Sequence, residues 1–133
     1  MSSYTITTTL NQPYGQAVDS VRAALDEQGF GVLTEVDLAA ALKDKLGVDV
    51  APQVILGACR PPLAYKAIQA EPSIAAVLPC NVVVRSLDDE TTLVEAFDPQ
   101  AMMGLADSDS LHEVAEDAKR RLAAAFAALG DDS

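Results

Sequence analysis

The chain has no tryptophan, a single histidine, only two cysteines and only four lysines among its 133 residues. Each shortage excludes something. One histidine, His112, cannot assemble an imidazole-rich zinc site, which ordinarily needs four ligands, and it leaves no basis for a Ser-His-Asp arrangement. It reads as a surface residue early in the last helix. There is no C-x-x-C, no H-E-x-x-H and no G-x-G-x-x-G, and GACRPP has one glycine where a phosphate loop needs two plus Gly-Lys-Ser/Thr. Nucleotide binding therefore has no support. Apolar runs reach only about six residues against the ~20 that a membrane helix needs, and MSSYTITTTLNQ lacks the basic and apolar regions of a signal peptide. A cytoplasmic protein with no membrane partner is expected, and in that reducing compartment two cysteines are free thiols rather than a structural bridge.

The lysine shortage leaves twenty acidic against nine basic residues and a net charge of −11. Such a field repels phosphate backbones and anionic membrane surfaces, which argues against nucleic acid as a partner. Aspartate outnumbers glutamate as well, a bias that suits a salt-rich, halophilic cytoplasm where self-repulsion is screened. An acidic mesophilic protein is the alternative.

What is present is apolar residues, half of the chain. A chain this long buries roughly 65–70% of its unfolded surface, so one domain spanning residues 1–133 can hold its core without a disulfide or a metal. Tyr4 to Leu10 alternates as a half-buried strand, and Val18, Val21 and Leu25 set a helix that Gly29 closes. Residues 30–36 read as a strand, and Asp37 caps a short helix carrying Leu38, Ala41, Leu42 and Leu46. Residues 53–59 read as a strand. Pro61-Pro62 opens a helix that stops at Glu71-Pro72, and Ser73 can cap one more turn. Residues 80–87 and 91–97 form a hairpin around Asp88-Asp89-Glu90, residues 98–105 form an irregular link, and Ser110-x-x-Glu113 reads as a capping box opening a long amphipathic helix. The order fits an α+β fold, one largely antiparallel sheet with helices on one face. Its other face is free for solvent, a ligand or a second copy, so a homodimer is expected.

Cys59 and Cys80 are the strongest chemical candidates. Neighbouring antiparallel strands would put the end of one beside the start of the other, with the helices between them as a flap. That arrangement suits a soft-metal site such as Cu(I), a small-molecule site, or a reversible disulfide in a thiol redox catalyst or peroxide sensor. Arg60 can lower the pKa of Cys59 if its head lies close. The bland alternative is that both cysteines are small apolar core residues and the chain is a structural or partner-binding module. Glu35 on the parity of Leu33, Arg85 on that of Val83 and Asn81, and Glu95 on that of Leu93 put some of these charges on the open sheet face, as a mixed-charge pocket or as solvated side chains, and Lys43, Lys45 and Lys66 are candidates for an anion or ordinary helix-surface lysines.

The runs GFGVLTE, KLGVD, ILGAC-x-PPLA and LPCNVVV, in that order, resemble the uncharacterised domain of unknown function 302 family over nearly the whole chain. The resemblance implies a five-stranded antiparallel sheet of the β-α-β(4)-α kind, with the extra helices as insertions. The family motif falls here on Glu35, Asp37, Lys45, Cys59, Pro61, Pro62, Cys80 and Asn81. It implies no reaction. The expected function is a small-ligand or soft-metal binding protein whose site draws on Cys59, Cys80, Asn81, Glu35, Lys45 and Arg60, with Cys59 and Cys80 as the metal ligands.

Overall fold

The structure, a computed structural model, describes residues 4–104 and 109–131. Five strands, β1 (Thr5–Leu10), β2 (Gly31–Asp37), β3 (Gln53–Cys59), β4 (Cys80–Ser86) and β5 (Thr92–Phe97), form one sheet of order β1-β5-β4-β3-β2. Every pairing is antiparallel. Four α-helices accompany it: α1 (Tyr14–Glu27), α2 (Leu38–Leu46), α3 (Pro61–Ala70) and α4 (Asp109–Asp131). Two 3₁₀ turns, Pro72–Val77 and Pro99–Gly104, complete the order. This is the α+β architecture expected from the residue pattern.

Local chemistry sets the element ends. Helix α1 closes with a double bond pattern, Gly29 N–H to the Asp26 carbonyl and Phe30 N–H to the Leu25 carbonyl, with Gly29 at φ 84° where a β-carbon would be strained. The Asp37 carboxylate accepts from Ala40 N–H at 2.9 Å and caps α2. The β4–β5 turn is tied by Asp88, whose carboxylate accepts from the amides of Glu90 and Thr91, each at 2.8 Å. Those bonds hold its acid below the usual carboxylate range. Helix α4 begins at Asp109, so Ser110 stands inside the helix rather than at its cap.

Two apolar clusters lie on the helix side of the sheet. The larger joins Leu56, Val82, Val84 and Val94 from the strands to Val21 and Leu25 of α1 and to Leu122 and Phe126 of α4. The smaller joins Leu63 and Ala67 of α3 and Ile74 to Leu111, Val114 and Ala118 of α4. Helix α2 differs from its amphipathic reading: none of its residues is fully buried and Leu46 is 69% exposed, because the helix packs on β2 and β3 at one edge of the sheet and no other helix covers it closely.

The open face carries Ile55, Val83, Arg85, Leu93 and Glu95 as partly exposed alternates of the buried positions. Glu35 does not join them. The β2–β3 register shifts between Val32 and Thr34, so Leu33 becomes the extra residue of a bulge and Glu35 stands opposite the core residue Leu56. On that side the Glu35 carboxylate accepts from Arg22 of α1.

Candidate functional site

Strands β3 and β4 are direct neighbours, and Ala58 is the partner of Cys80. Cys59 therefore sits one residue beyond the position opposite Cys80. The two thiols are not a facing pair in the ladder, and both are free. They nevertheless line one cavity, at the sheet end where β3 runs into α3 and the returning chain enters β4.

The cavity is small, about 30 Å³, and almost wholly apolar. Phe30 and Ala58 wall it from the larger cluster and Leu63, Ala67, Val114 and Ala118 from the smaller, so it is the gap where the two clusters meet. Burial in these surroundings pushes the Cys80 thiol up to about 11, with the nearby Cys59 adding to the rise. Neutral thiols are thus the resting state of Cys80 at ordinary pH.

Arg60 lines the same cavity. It is the residue before Pro61-Pro62, the first turn of α3. Its side chain passes over Gly29, where a β-carbon would come within 3.0 Å of the Arg60 Nε. That Nε is buried without a hydrogen-bond partner.

Three of the sequence candidates, Cys59, Cys80 and Arg60, thus line one cavity, although the register sets the two cysteines on opposite parity of the sheet. The other three do not. Asn81 is exposed on the open face, Glu35 pairs with Arg22, and Lys45 is exposed with a loose 3.9 Å contact to Asp44. Among the described residues no group of three or more His, Cys, Asp or Glu side chains is placed to hold a metal. The apolar wall and Gly29 were not singled out from sequence as site elements, although Gly29 was legible as a helix stop.

A larger, open concavity of about 330 Å³ lies between α1, α2 and the segment before β3, lined by Tyr14, Asp37, Lys43 and Asp49. Its polar groups are already engaged, Asp37 in the α2 cap and Lys43 with Asp49 at 2.9 Å. Burial, then Asp37 and Glu35, raise the Tyr14 hydroxyl above its ordinary pKa, so it stays a neutral phenol there.

Among the described residues no helix is long and apolar enough to cross a membrane. The sequence profile of the family described as domain of unknown function DUF302 matches residues 6–129. The fold is similar to the crystal structure of an uncharacterised conserved DUF302 protein from Bacillus stearothermophilus, with a TM-score of 0.86 and 27% identity over 96% of this chain and 99% of that one. No curated protein matches the chain.

Proposed function

The chain belongs to the domain of unknown function DUF302 family, a membership that brings a fold and no reaction, and from it we propose that the protein binds a soft metal ion between the thiols of Cys59 and Cys80. The observation that supports this reading is that Cys59 and Cys80, at the ends of two adjacent strands, are both among the residues that line one apolar cavity. Thiolate sulfur favours soft ions such as Cu(I). A structural zinc site asks for four donors, more than the described residues gather around this cavity. Organic ligands usually occupy some 300–1,000 Å³, so a cavity of about 30 Å³ narrows the small-ligand alternative to an ion or a molecule of a few atoms.

A redox catalyst or peroxide sensor on the same thiols is the weaker reading. The thiolate is the nucleophile in both chemistries, and Cys80 is held neutral up to about 11; a metal ion needs the thiolate too but displaces the proton itself on binding. A reducing cytoplasm fits the metal reading, since it keeps both thiols available.

The open face supports a homodimer as the assembly. Val36, Ile55 and Val83 are successive cross-strand neighbours that end at Glu95, and Arg85 lies on the same face. An isologous contact covers the aliphatic row and lets Arg85 of one copy meet Glu95 of the other.

Titration with Cu(I) against a chromophoric chelator tests the metal reading. One ion per chain is expected, with binding lost in both Cys59→Ser and Cys80→Ser. Retention of full affinity in either variant rejects it.

A further inference from the structure

We propose that residues 61–79, α3 with the 3₁₀ turn after it, open off α4 as one unit while the sheet stays folded, and that this opening is the gate to the cavity and to the Cys80 thiol. The gate serves whatever small occupant the cavity takes, so it stands apart from the ion reading.

The segment leaves the sheet after β3 and returns to it at β4, and those strands stay paired up to Ala58 and Cys80. Lifting it therefore breaks no strand pairing. Its hydrogen bonds are local as well. The Leu63 and Ala64 amides donate to the Arg60 carbonyl at 3.0 Å, Glu71 N–H donates to the Ala67 carbonyl, Ile74 N–H to that of Glu71 and Leu78 N–H to that of Ala75. The Ser73 amide donates to the Glu71 carboxylate. Among the described residues no hydrogen bond and no ion pair joins residues 61–79 to any part of the chain beyond Arg60.

Apolar contact alone holds the segment down. Leu63, Ala67 and Ile74 are its buried side chains, set against Leu111, Val114 and Ala118 of α4 with Phe97 of β5 at the margin. Helix α3 packs closely on α4 and on its own turn, and on no strand. Tyr65, Ile68 and Val77 stay exposed on the outside. The larger cluster, which fastens α1 and α4 to the sheet, takes no residue from the segment. The cavity lies in the seam between the two clusters, with Leu63, Ala64, Ala67, Leu78 and Pro79 as the wall that lifts and Cys80 beside them. A unit with few buried apolar side chains and no polar tie to its surroundings opens at a lower free energy than the whole protein unfolds.

Native-state hydrogen exchange in low urea is followed on the full chain as wild type, Leu25→Ala and Leu63→Ala. In wild type the amides of Ala67 and Ile68 should be about tenfold or more less protected than those of Leu56, Val82 and Val84 in the central strands, with a weaker dependence on urea. Leu25 belongs to the larger cluster, so Leu25→Ala should speed exchange of the strand amides by about thirtyfold or more and leave the α3 amides unchanged, whereas Leu63→Ala should speed both sets. In a Cys59→Ser background, alkylation of Cys80 should be slowed, relative to the urea-unfolded chain, by the same factor as the α3 amides. It should quicken with Leu63→Ala and not with Leu25→Ala. Equal acceleration of α3 and strand amides in Leu25→Ala marks a single cooperative unit and overturns the opening. Alkylation of Cys80 at the unfolded-chain rate, or at a rate that tracks the strand amides, overturns the gate. If Leu25→Ala does not fold, Val21→Ala, a smaller truncation in the same cluster, gives the same readings.

Discussion

Gly57→Ala should destabilise the protein even though the backbone there has no positive φ and accepts an alanine. The β-carbon would overlap Thr34 Oγ1 and lie 2.9 Å from Pro79 Cγ and 3.4 Å from Thr34 Cβ. Thr34 is exposed, so its hydroxyl can turn away at an off-rotamer cost of about 0.5–1.5 kcal/mol. Pro79 is less free, because its ring belongs to the backbone that leads directly into Cys80. Overpacking of this kind costs about 1–3 kcal/mol, and the lower unfolded-state entropy of alanine returns about 0.4–1 kcal/mol. A net loss of about 1–2 kcal/mol follows. Urea unfolding at fixed protein concentration measures it, and the double variant Thr34→Ala/Gly57→Ala should recover the part owed to the hydroxyl while keeping the part owed to Pro79. A Gly57→Ala protein as stable as the parent would refute the β3–β4 packing on which the position of Cys80 depends.

Three further outcomes are expected. The Cys80 pKa is raised from 9.0 to about 11 in the fold, so its contribution to stability is fully present below pH 9 and is lost as pH rises from 9 through 11. Urea midpoints should fall across that window by the equivalent of about 2 kcal/mol, and Cys80→Ala should remove this fall. A parent curve with no such fall refutes the burial. Light scattering should give twice the 13.9 kDa chain mass, and Val83→Lys, on the open face, should halve the mass without altering the circular dichroism spectrum. A monomeric parent refutes the assembly. With a net charge of −11, molar KCl should raise the melting temperature by about 4 °C or more, the shift that roughly 1 kcal/mol produces in a domain of this size. A flat response refutes the salt-adapted reading.

The strands, the hairpin and the cysteine-bearing strand ends were legible in the sequence because alternation, proline and glycine are local signals. Alternation sets Glu35 on the parity of Leu33, but one extra residue at Leu33 reverses the parity of everything after it in β2, which no alternation rule contains. Leu38, Ala41, Leu42 and Leu46 have helical spacing, yet α2 buries none of them fully, since spacing fixes which side is apolar and not whether anything covers it. The same limit applies at the site. The adjacent strand ends that carry Cys59 and Cys80 follow from antiparallel neighbours, but their opposite parity depends on the register, and the gap between two apolar clusters arises from α1, α3 and α4 meeting, a tertiary event. Gly29 was readable as a helix end but not as the track of an arginine.

The central claim is that Cys59 and Cys80 jointly hold one soft ion in the cavity beneath α3. X-ray absorption spectroscopy of the protein loaded with one equivalent of Cu(I) tests it most directly. Two sulfur scatterers from the cysteines and no nitrogen or oxygen neighbour are expected, with the signal collapsing in Cys59→Ser and in Cys80→Ser. A first shell of nitrogen or oxygen, or a sulfur shell that survives loss of either cysteine, would contradict the account.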